Sequence, residues 1–184
     1  TDVNWTGGDL DGFDSFYTPY ESGTSTGYIQ AGTHLFLKLD MSFFKAFADT
    51  IENPIIQNAE LVMESPRQYP GDGYRLPVPL QLNATVTSLD SLETGNYQSN
   101  QEVASDLPKV VEYDEDEELY KLEIPVYLQT LVNDDNVFDQ IIFSPLTTNP
   151  FTGALTPDNR TFNRLVMEKE NIKVRLYYTL PNVN

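Results

Sequence analysis

Apolar and polar residues alternate most strictly near the end of the chain, over residues 172–180. The even-numbered residues from Ile172 to Leu180 are apolar or aromatic, and the residues between them are mostly polar. A period of two with β-branched and aromatic side chains predicts a half-buried strand. A short apolar run, Leu165–Met167, precedes it, and the polar residues 168–171 between the two predict a hairpin connection. We therefore expect a closing β-hairpin.

The same alternation predicts further strands. They cover residues 28–40, 57–65, 80–89, 119–124 and 139–144. Within residues 57–65 we expect Ala59, Leu61 and Met63 to share the buried face. Within residues 80–89 the even positions from Leu80 to Val86 are expected inside, with Thr85 and Thr87 outside.

Two short segments change from a period of two to helical spacing. In Ser42–Glu52, phenylalanine and isoleucine recur every four residues, and Asp40 or Ser42 is suited to cap the start. In Pro125–Asn133, proline suits the first turn and leucines form the apolar stripe. Each helix stands between two predicted strands, so each is expected to cross from one strand to another.

The segments between these elements are polar or rich in proline and glycine. We expect an irregular N-terminal arm at residues 1–27 and one β-sandwich domain at residues 28–184. Within it, residues 90–111 form a polar excursion, Glu112–Glu118 a hairpin tip or loop, and residues 145–161 a loop. The predicted fold class is all-β: an antiparallel, jelly-roll-like β-sandwich with two short crossover helices.

The charge of the chain is strongly negative and unevenly distributed. Twenty-eight acidic residues face 11 basic ones, giving a formal net charge of −17. Nucleic acid and anionic membrane surfaces are therefore poor partners, because both require a basic surface. Five of the 11 basic residues lie in residues 160–184. We expect two of them, Lys173 and Arg175, to face an acidic neighbouring surface or solvent rather than a ligand.

Residues for catalysis are scarce. The chain has no cysteine, which excludes a disulfide framework, a thiolate zinc site and a cysteine nucleophile. His34 is the only histidine, and no Gly-x-Ser-x-Gly elbow accompanies it. A surface or hydrogen-bonded strand histidine is the simpler interpretation, and no carboxylate pair stands out for hydrolysis. We expect a protein that is not an enzyme, with hydrolase as the remote alternative.

Two kinds of binding site fit residues in the irregular segments. Asp9, Asp11 and Asp14 offer carboxylates at short spacing around Gly12, which suits calcium in part, although the twelve-residue calcium-loop pattern is not met. A polar turn is the alternative, and no other cofactor is indicated. Loop aromatics either form a sugar-binding platform or anchor their loops to the sandwich. The residues chosen for that platform are Trp5, Tyr17, Tyr20, Tyr69 and Tyr74.

Several motifs occur in a recognisable order. They are HLFLKLD at 34–40, I-x-x-A-E-L-V at 56–62, Y-x-L-x-I-x-x-Y-L-Q-x-L-V at 120–132, N-R-L-V at 163–166 and IKVRLYYT at 172–179. This order resembles a family of Bacteroidetes outer-membrane surface lipoproteins of unknown function, with a β-sandwich like that of carbohydrate-binding modules. The acidic run and the long 90–118 segment depart from the family pattern.

The resemblance implies export, a location at the cell envelope and outer-membrane surface, and a lipid anchor upstream of Thr1 as the only membrane attachment. It supplies no catalytic residues. The sequence therefore leads us to expect a non-enzymatic cell-surface domain for adhesion or for binding a glycan or a surface protein. The alternative is a carbohydrate-binding module of a polysaccharide-utilisation system.

Overall fold

A computed structural model describes residues 26–33, 35–51, 54–65, 77–87, 106–133 and 138–180. The strands are β1 Thr26–Gln30, β2 Leu37–Asp40, β3 Ile55–Glu64, β4 Gln81–Thr87, β5 Lys109–Asp114, β6 Leu119–Glu123, β7 Gln140–Thr148, β8 Leu155–Pro157, β9 Arg164–Glu168 and β10 Ile172–Thr179. The helices are α1 Phe43–Thr50 and α2 Pro125–Asn133, and a 3₁₀ turn covers Lys169–Asn171.

The strands form two antiparallel sheets. The larger one has eight strands in the order β10-β3-β6-β5-β4-β7-β2, with β8 also paired to β7. The smaller one consists of β1 and β9. The large sheet curls, and the predicted all-β, antiparallel sandwich-like fold with two helices is confirmed. β1 begins at Thr26, slightly before the predicted start of the sandwich domain.

Both helices connect strands that are not neighbours. α1 links β2, at one edge of the large sheet, to β3, next to the other edge. α2 links β6 to β7, which are separated in the sheet by β5 and β4. α2 contacts both β3 and α1. The crossover role predicted for the two helices is therefore confirmed, and so are the bounds of α2.

The core lies between the sheets and the helices. Ala59, Leu61 and Met63 are fully buried, as predicted from their alternation. Apolar side chains from most strands join them, among them Ile29, Leu82, Leu122, Phe143 and Leu165. Removing each large apolar side chain of this kind from water contributes about 1.5–3 kcal/mol to folding.

Three tyrosines carry their hydroxyl groups into the core and find backbone acceptors there. Tyr120 donates to the Pro79 carbonyl at 2.5 Å, Tyr113 to that of Ser65 at 2.9 Å and Tyr127 to that of Phe138 at 3.0 Å. Burial raises the pKa of the Tyr120 and Tyr127 hydroxyls above the ordinary tyrosine value. These bonds attach the loops before β4 and β7 to the core, because a buried hydroxyl without a partner would be costly.

The predicted closing hairpin is wrong. β9 pairs with β1 in the small sheet, and β10 pairs with β3 in the large one. The 3₁₀ turn between them passes the chain from one sheet to the other, instead of folding it back on itself. Alternation identified the strands, but it carries no information about their partners.

The predicted strand 28–40 is also wrong as a single element. A turn at Ala31–Thr33 divides it into β1 and β2, which belong to different sheets. Gly32 has a φ of +76°, and a Cβ there would lie 2.9 Å from the Thr161 carbonyl oxygen. Only glycine suits this position, because both the backbone angle and the close approach exclude a side chain.

Two strands, β5 and β8, lie where the sequence predicted loops. In β4, two side chains that were predicted to face solvent face the interior. Thr85 and Thr87 were expected outside, but both are buried. The four residues at the end of β4, Ala84–Thr87, are all buried, so both faces of the strand are covered there and alternation no longer separates inside from outside. Leu80, expected inside, precedes β4 and is 57% exposed.

Lys173 and Arg175 have the environment predicted for them. Lys173 Nζ lies 2.7 Å from a carboxylate oxygen of Glu64, and Arg175 Nη1 lies 3.2 Å from one of Glu60. Both partners are on β3, across the strand pair from the two basic residues. The basic end of the chain therefore lies against acidic residues of the same molecule.

Candidate functional site

The residues that the sequence singled out for binding or catalysis lie outside the described part of the chain. They are the aromatics Trp5, Tyr17, Tyr20, Tyr69 and Tyr74, the carboxylates Asp9, Asp11 and Asp14, and His34. Their predicted roles stay predictions. Within the described ranges, no group of three or more histidine or carboxylate side chains is placed to hold a metal ion.

The most prominent surface feature is the hairpin formed by β7 and β8. Its strands pair from Leu146 with Pro157 to Thr148 with Leu155. Beyond them, Asn149 N–H donates to the Ala154 carbonyl and Gly153 N–H donates to the Asn149 carbonyl, each at 2.8 Å. The tip is thus four residues, Pro150–Gly153, closed by backbone hydrogen bonds.

Side chains fix the tip further. Asn149 Oδ1 accepts the N–H of Phe151 at 2.9 Å and that of Thr152 at 3.4 Å, an arrangement that asparagine favours in turns. Gly153 has a φ of +70°, a conformation in which glycine carries no penalty. The backbone of the tip therefore has a defined conformation, although its side chains point away from the core.

Phe151 is the residue that this tip presents. Its side chain is 91% exposed, more than any other large apolar residue among those the structure describes. A single exposed apolar side chain is common on protein surfaces. A phenylalanine at the end of a hydrogen-bonded hairpin is different in one respect, because its ring projects from a backbone that is already ordered. The ring can therefore be covered by a partner without ordering a loop.

A second feature is a shallow open depression beside β5 and β6. Its volume is about 440 Å³, and its lining comprises Val110, Glu112, Tyr113, Asp114 and Lys121. Two carboxylates and one ammonium group thus converge on one concave patch. Tyr113 also borders it, but its ring is buried in the core, where it packs against Tyr120 with 4.9 Å between ring centroids.

The acidic run predicted as a hairpin tip borders this depression. β5 and β6 form a hairpin whose turn is residues 115–118, so that prediction is confirmed for the turn. Asp114 Oδ1 accepts the N–H of Glu117 at 2.9 Å and that of Asp116 at 3.0 Å. The hydrogen bond from Glu117 is the main cause that lowers the pKa of Asp114. Lys121 bonds Glu117 at 2.6 Å, which balances part of the negative charge.

Neither a family model, nor a curated protein, nor a solved structure matches the chain. The geometry of its surface is therefore what bears on function. In the described part of the chain, neither helix combines the length and apolar character needed to span a membrane.

Sequence reasoning did not single out Phe151. It lies in the run Asn149-Pro150-Phe151-Thr152-Gly153, within residues predicted only as a loop. The signal that was available is the pattern of turn formers, asparagine and proline before the phenylalanine and glycine after it. Such a pattern flanked by alternating residues predicts a tight hairpin, and an apolar residue at its centre must be exposed.

Proposed function

We propose that the chain is a non-enzymatic, exported β-sandwich domain of the bacterial cell surface that binds a macromolecule. The ligand class is a glycan or a surface protein, and the tip of the β7–β8 hairpin makes the contact. The observation that carries the proposal is the exposure of Phe151 on a hairpin whose backbone is fixed by Asn149 and Gly153.

The energetics of this tip favour binding. Covering an aromatic ring removes apolar surface from water and contributes about 1.5–3 kcal/mol for a side chain of this size. Since the turn is already hydrogen-bonded, little further conformational entropy is lost on association. A ring on an ordered tip is thus suited to act as an anchor for a partner.

The chemistry of the partner is limited by charge. With a net charge of −17, the chain repels nucleic acid and anionic lipid at long range. Neutral glycans and uncharged or basic protein surfaces are not repelled. The sequence resemblance to surface lipoproteins implies export and a place on the outer surface, and a glycan or protein ligand suits that location.

A carbohydrate-binding module is the second candidate, and the depression beside β5 and β6 favours it. Sugar hydroxyls donate to carboxylates and accept from ammonium groups, and Glu112, Asp114 and Lys121 offer both in one shallow site. In this alternative the glycan occupies the depression, and the hairpin tip is not required.

Arrays of glycans and of cell-surface proteins, probed with the purified chain and its Phe151→Ala variant, test the proposal. We expect Phe151→Ala to weaken binding by about tenfold or more, because one anchoring ring is lost. The thermal unfolding midpoint should stay unchanged, since the ring makes almost no contact in the free protein.

Phe162→Ala is the matched control. Phe162 is also a phenylalanine exposed outside the strands, at 68%, but it precedes β9 and does not belong to the hairpin tip. Equal binding by both variants and the wild type would contradict the role of the tip. Binding lost instead in Glu112→Gln, with Phe151→Ala unaffected, would favour the carbohydrate site in the depression.

A further inference from the structure

One edge of the large sheet is long and, among the residues that the structure describes, unpaired. β10 pairs with β3 on one side, and no other described strand pairs with it. It runs for eight residues, and the irregularity in its pairing comes from an additional residue on β3, Gln57, opposite Tyr177 and Tyr178. An open strand of this length offers a row of backbone N–H and C=O groups to another strand.

The other free edges of the large sheet are protected in ways that β10 is not. β2 has four residues, and β8 has three and ends in Pro157, which has no N–H to donate. Short strands and proline are two of the means by which sheet edges avoid pairing with other chains; charged side chains are a third, and those of β10 are Lys173 and Arg175. The large sheet therefore has one edge suited to strand addition.

The side chains of this edge are arranged unevenly about its middle. Leu176 is the midpoint of residues 172–180, and both charged residues, Lys173 and Arg175, come before it. The corresponding positions after it are Thr179 and Tyr177, which carry no charge at neutral pH. When such a strand pairs with an antiparallel copy of itself, its charged half meets the uncharged half of the other copy.

We propose that β10 is a homodimerisation edge, at which two copies of the chain pair antiparallel about a two-fold axis through Leu176. Arg175 then lies opposite Tyr177 of the second copy, and Lys173 lies opposite Thr179. On the other face, Val174 meets Tyr178, and Ile172 meets Leu180. Arginine over an aromatic ring is a favourable cation–π contact, and the symmetry provides it twice.

Repulsion between like charges disfavours other alignments of the two β10 strands. Centring the pair on Val174 places Lys173 opposite Arg175 twice, and centring it on Arg175 places two arginines opposite each other. Like charges directly opposite destabilise an antiparallel pair. Centring on Tyr177 avoids this repulsion, but it leaves Ile172 beyond the end of the paired region. The Leu176 register uses the whole strand.

Exposed apolar surface at this edge favours a partner with the same sequence. Tyr178 is 40% exposed and Leu180 58%, while Ile172, Val174 and Leu176 are only partly covered by the core. In the Leu176 register, the branched residues of one copy cover the exposed residues of the other.

A single engineered cysteine tests the register, because the native chain has none. In the proposed pair the two Leu176 residues are directly opposite, with Cβ atoms about 4.5–5.5 Å apart, close enough for a disulfide after a small shift. On a denaturing gel without reductant, we expect oxidised Leu176→Cys to migrate as a disulfide-linked dimer of twice 20.9 kDa. Lys173→Cys, whose copies lie far apart in this register, should remain largely monomeric. Equal crosslinking of both variants would overturn the register.

Charge variants at Tyr177 test the pairing without a crosslink. Tyr177→Lys places a like charge against Arg175 of the second copy, and Tyr177→Glu places an opposite charge there. Sedimentation of the wild type should show a monomer–dimer equilibrium. Tyr177→Lys should weaken it by about tenfold or more, whereas Tyr177→Glu should preserve or strengthen it.

Circular dichroism of each variant is the control for folding. We expect the fold to be retained, because the Tyr177 side chain is 66% exposed. A wild-type chain that stays monomeric up to about 1 mM would overturn the proposal, because that limit corresponds to only about 4 kcal/mol of association. Equal dimer stability in both Tyr177 variants would also overturn it, since the two charges must act in opposite directions.

Discussion

Asp40 lies at the end of β2, where its carboxylate organises the entry to α1. Its Oδ1 accepts the Ser42 N–H at 2.8 Å and the Gln140 side-chain amide at 3.2 Å. Partial burial alone would raise the pKa of Asp40. The hydrogen bonds from Ser42 and Gln140, helped by the charge of Lys38, outweigh it and hold the pKa below the usual aspartate value. The ionised carboxylate is therefore the form that the folded state prefers.

Replacing Asp40 by asparagine should give a loss of stability that depends on pH. A folded-state pKa below the unfolded value means that the carboxylate stabilises the fold above the unfolded pKa. That contribution is lost as the pH falls through the folded pKa. We expect Asp40→Asn to cost less at neutral pH than the roughly 1 kcal/mol of a lost helix cap, because asparagine keeps one oxygen for Ser42 and loses only the charge, and to cost almost nothing in strong acid.

Urea unfolding at neutral pH and at several values below 3.8, the ordinary aspartate pKa, checks this dependence. Asp49→Asn, an exposed aspartate within α1, is the matched control and should show no comparable convergence with the wild type. A difference between Asp40→Asn and the wild type that stays constant with pH would contradict the role of the charge.

Among the elements, α2 begins with an acceptor from a distant part of the chain. Asp106, twenty residues before Val126, accepts its N–H at 2.9 Å and that of Tyr127 at 3.0 Å. The first N–H groups of a helix have no partner within it, so a carboxylate at this place acts as a cap. The cap links the start of α2 to the segment that leads into β5.

Asp106→Ala should destabilise the protein by about 1–2 kcal/mol, because two N–H groups lose their acceptor. Asp106→Asn keeps one side-chain oxygen and should lose less. Thermal unfolding of both variants, followed by circular dichroism, measures the order. If the alanine and asparagine variants were equally stable, the hydrogen bonds to α2 would not be the cause.

An element can be predicted from the sequence when the residues that determine it lie within the element itself. α2 was predicted with the correct bounds because its proline, its apolar stripe and its polar end are all local. β10 was predicted as a strand for the same reason, but its partner β3 lies more than a hundred residues earlier in the chain. β5 was missed because its two valines are adjacent, which interrupts the alternation, and because its end merges with the acidic run.

The candidate site was less predictable than the fold. The turn formers Asn149 and Gly153 make the turn predictable from the sequence. The exposure of Phe151 is not, because it depends on which elements pack against the hairpin. The polar groups of the depression come from two strands, β5 and β6. They can be placed side by side only when it is known that these strands pair, with Tyr113 opposite Tyr120. Sites assembled from several elements become visible only after the strand order is known.

At the scale of the whole molecule, the dominant electrostatic feature is repulsion. The four basic residues in the described ion pairs, Lys109, Lys121, Lys173 and Arg175, are all exposed, and pairs at the surface contribute little individually. They cannot balance 28 acidic residues in a chain with 11 basic ones. The folded state concentrates this charge more than the unfolded chain does, so low ionic strength opposes folding.

Sodium chloride should therefore stabilise the protein. Raising the salt from about 10 mM to about 150 mM shortens the screening length from about 30 Å to about 8 Å. We expect a gain of about 1 kcal/mol, which raises the thermal midpoint by about 2–4 °C for a chain of this size. A midpoint that falls with added salt would mean that the ion pairs outweigh the repulsion.

Calcium chloride at matched ionic strength is the informative comparison. Screening alone predicts nearly the same midpoint in both salts. A larger increase with calcium, reversed by a chelator, would instead support the calcium site predicted at Asp9, Asp11 and Asp14.

The arrangement of β9 and β10 also has a consequence for the order in which the molecule forms. Thr26 bonds Glu168, which is 142 residues later, and Glu60 bonds Arg175, which is 115 residues later. During synthesis on a ribosome, β3 can pair with β6 early, but β1 cannot pair with β9, nor β3 with β10, until residues 164–179 have emerged. Long-range pairing of this kind slows folding. The small sheet and the β10 edge of the large sheet therefore form last among the described strands, after the rest of the large sheet has been synthesised.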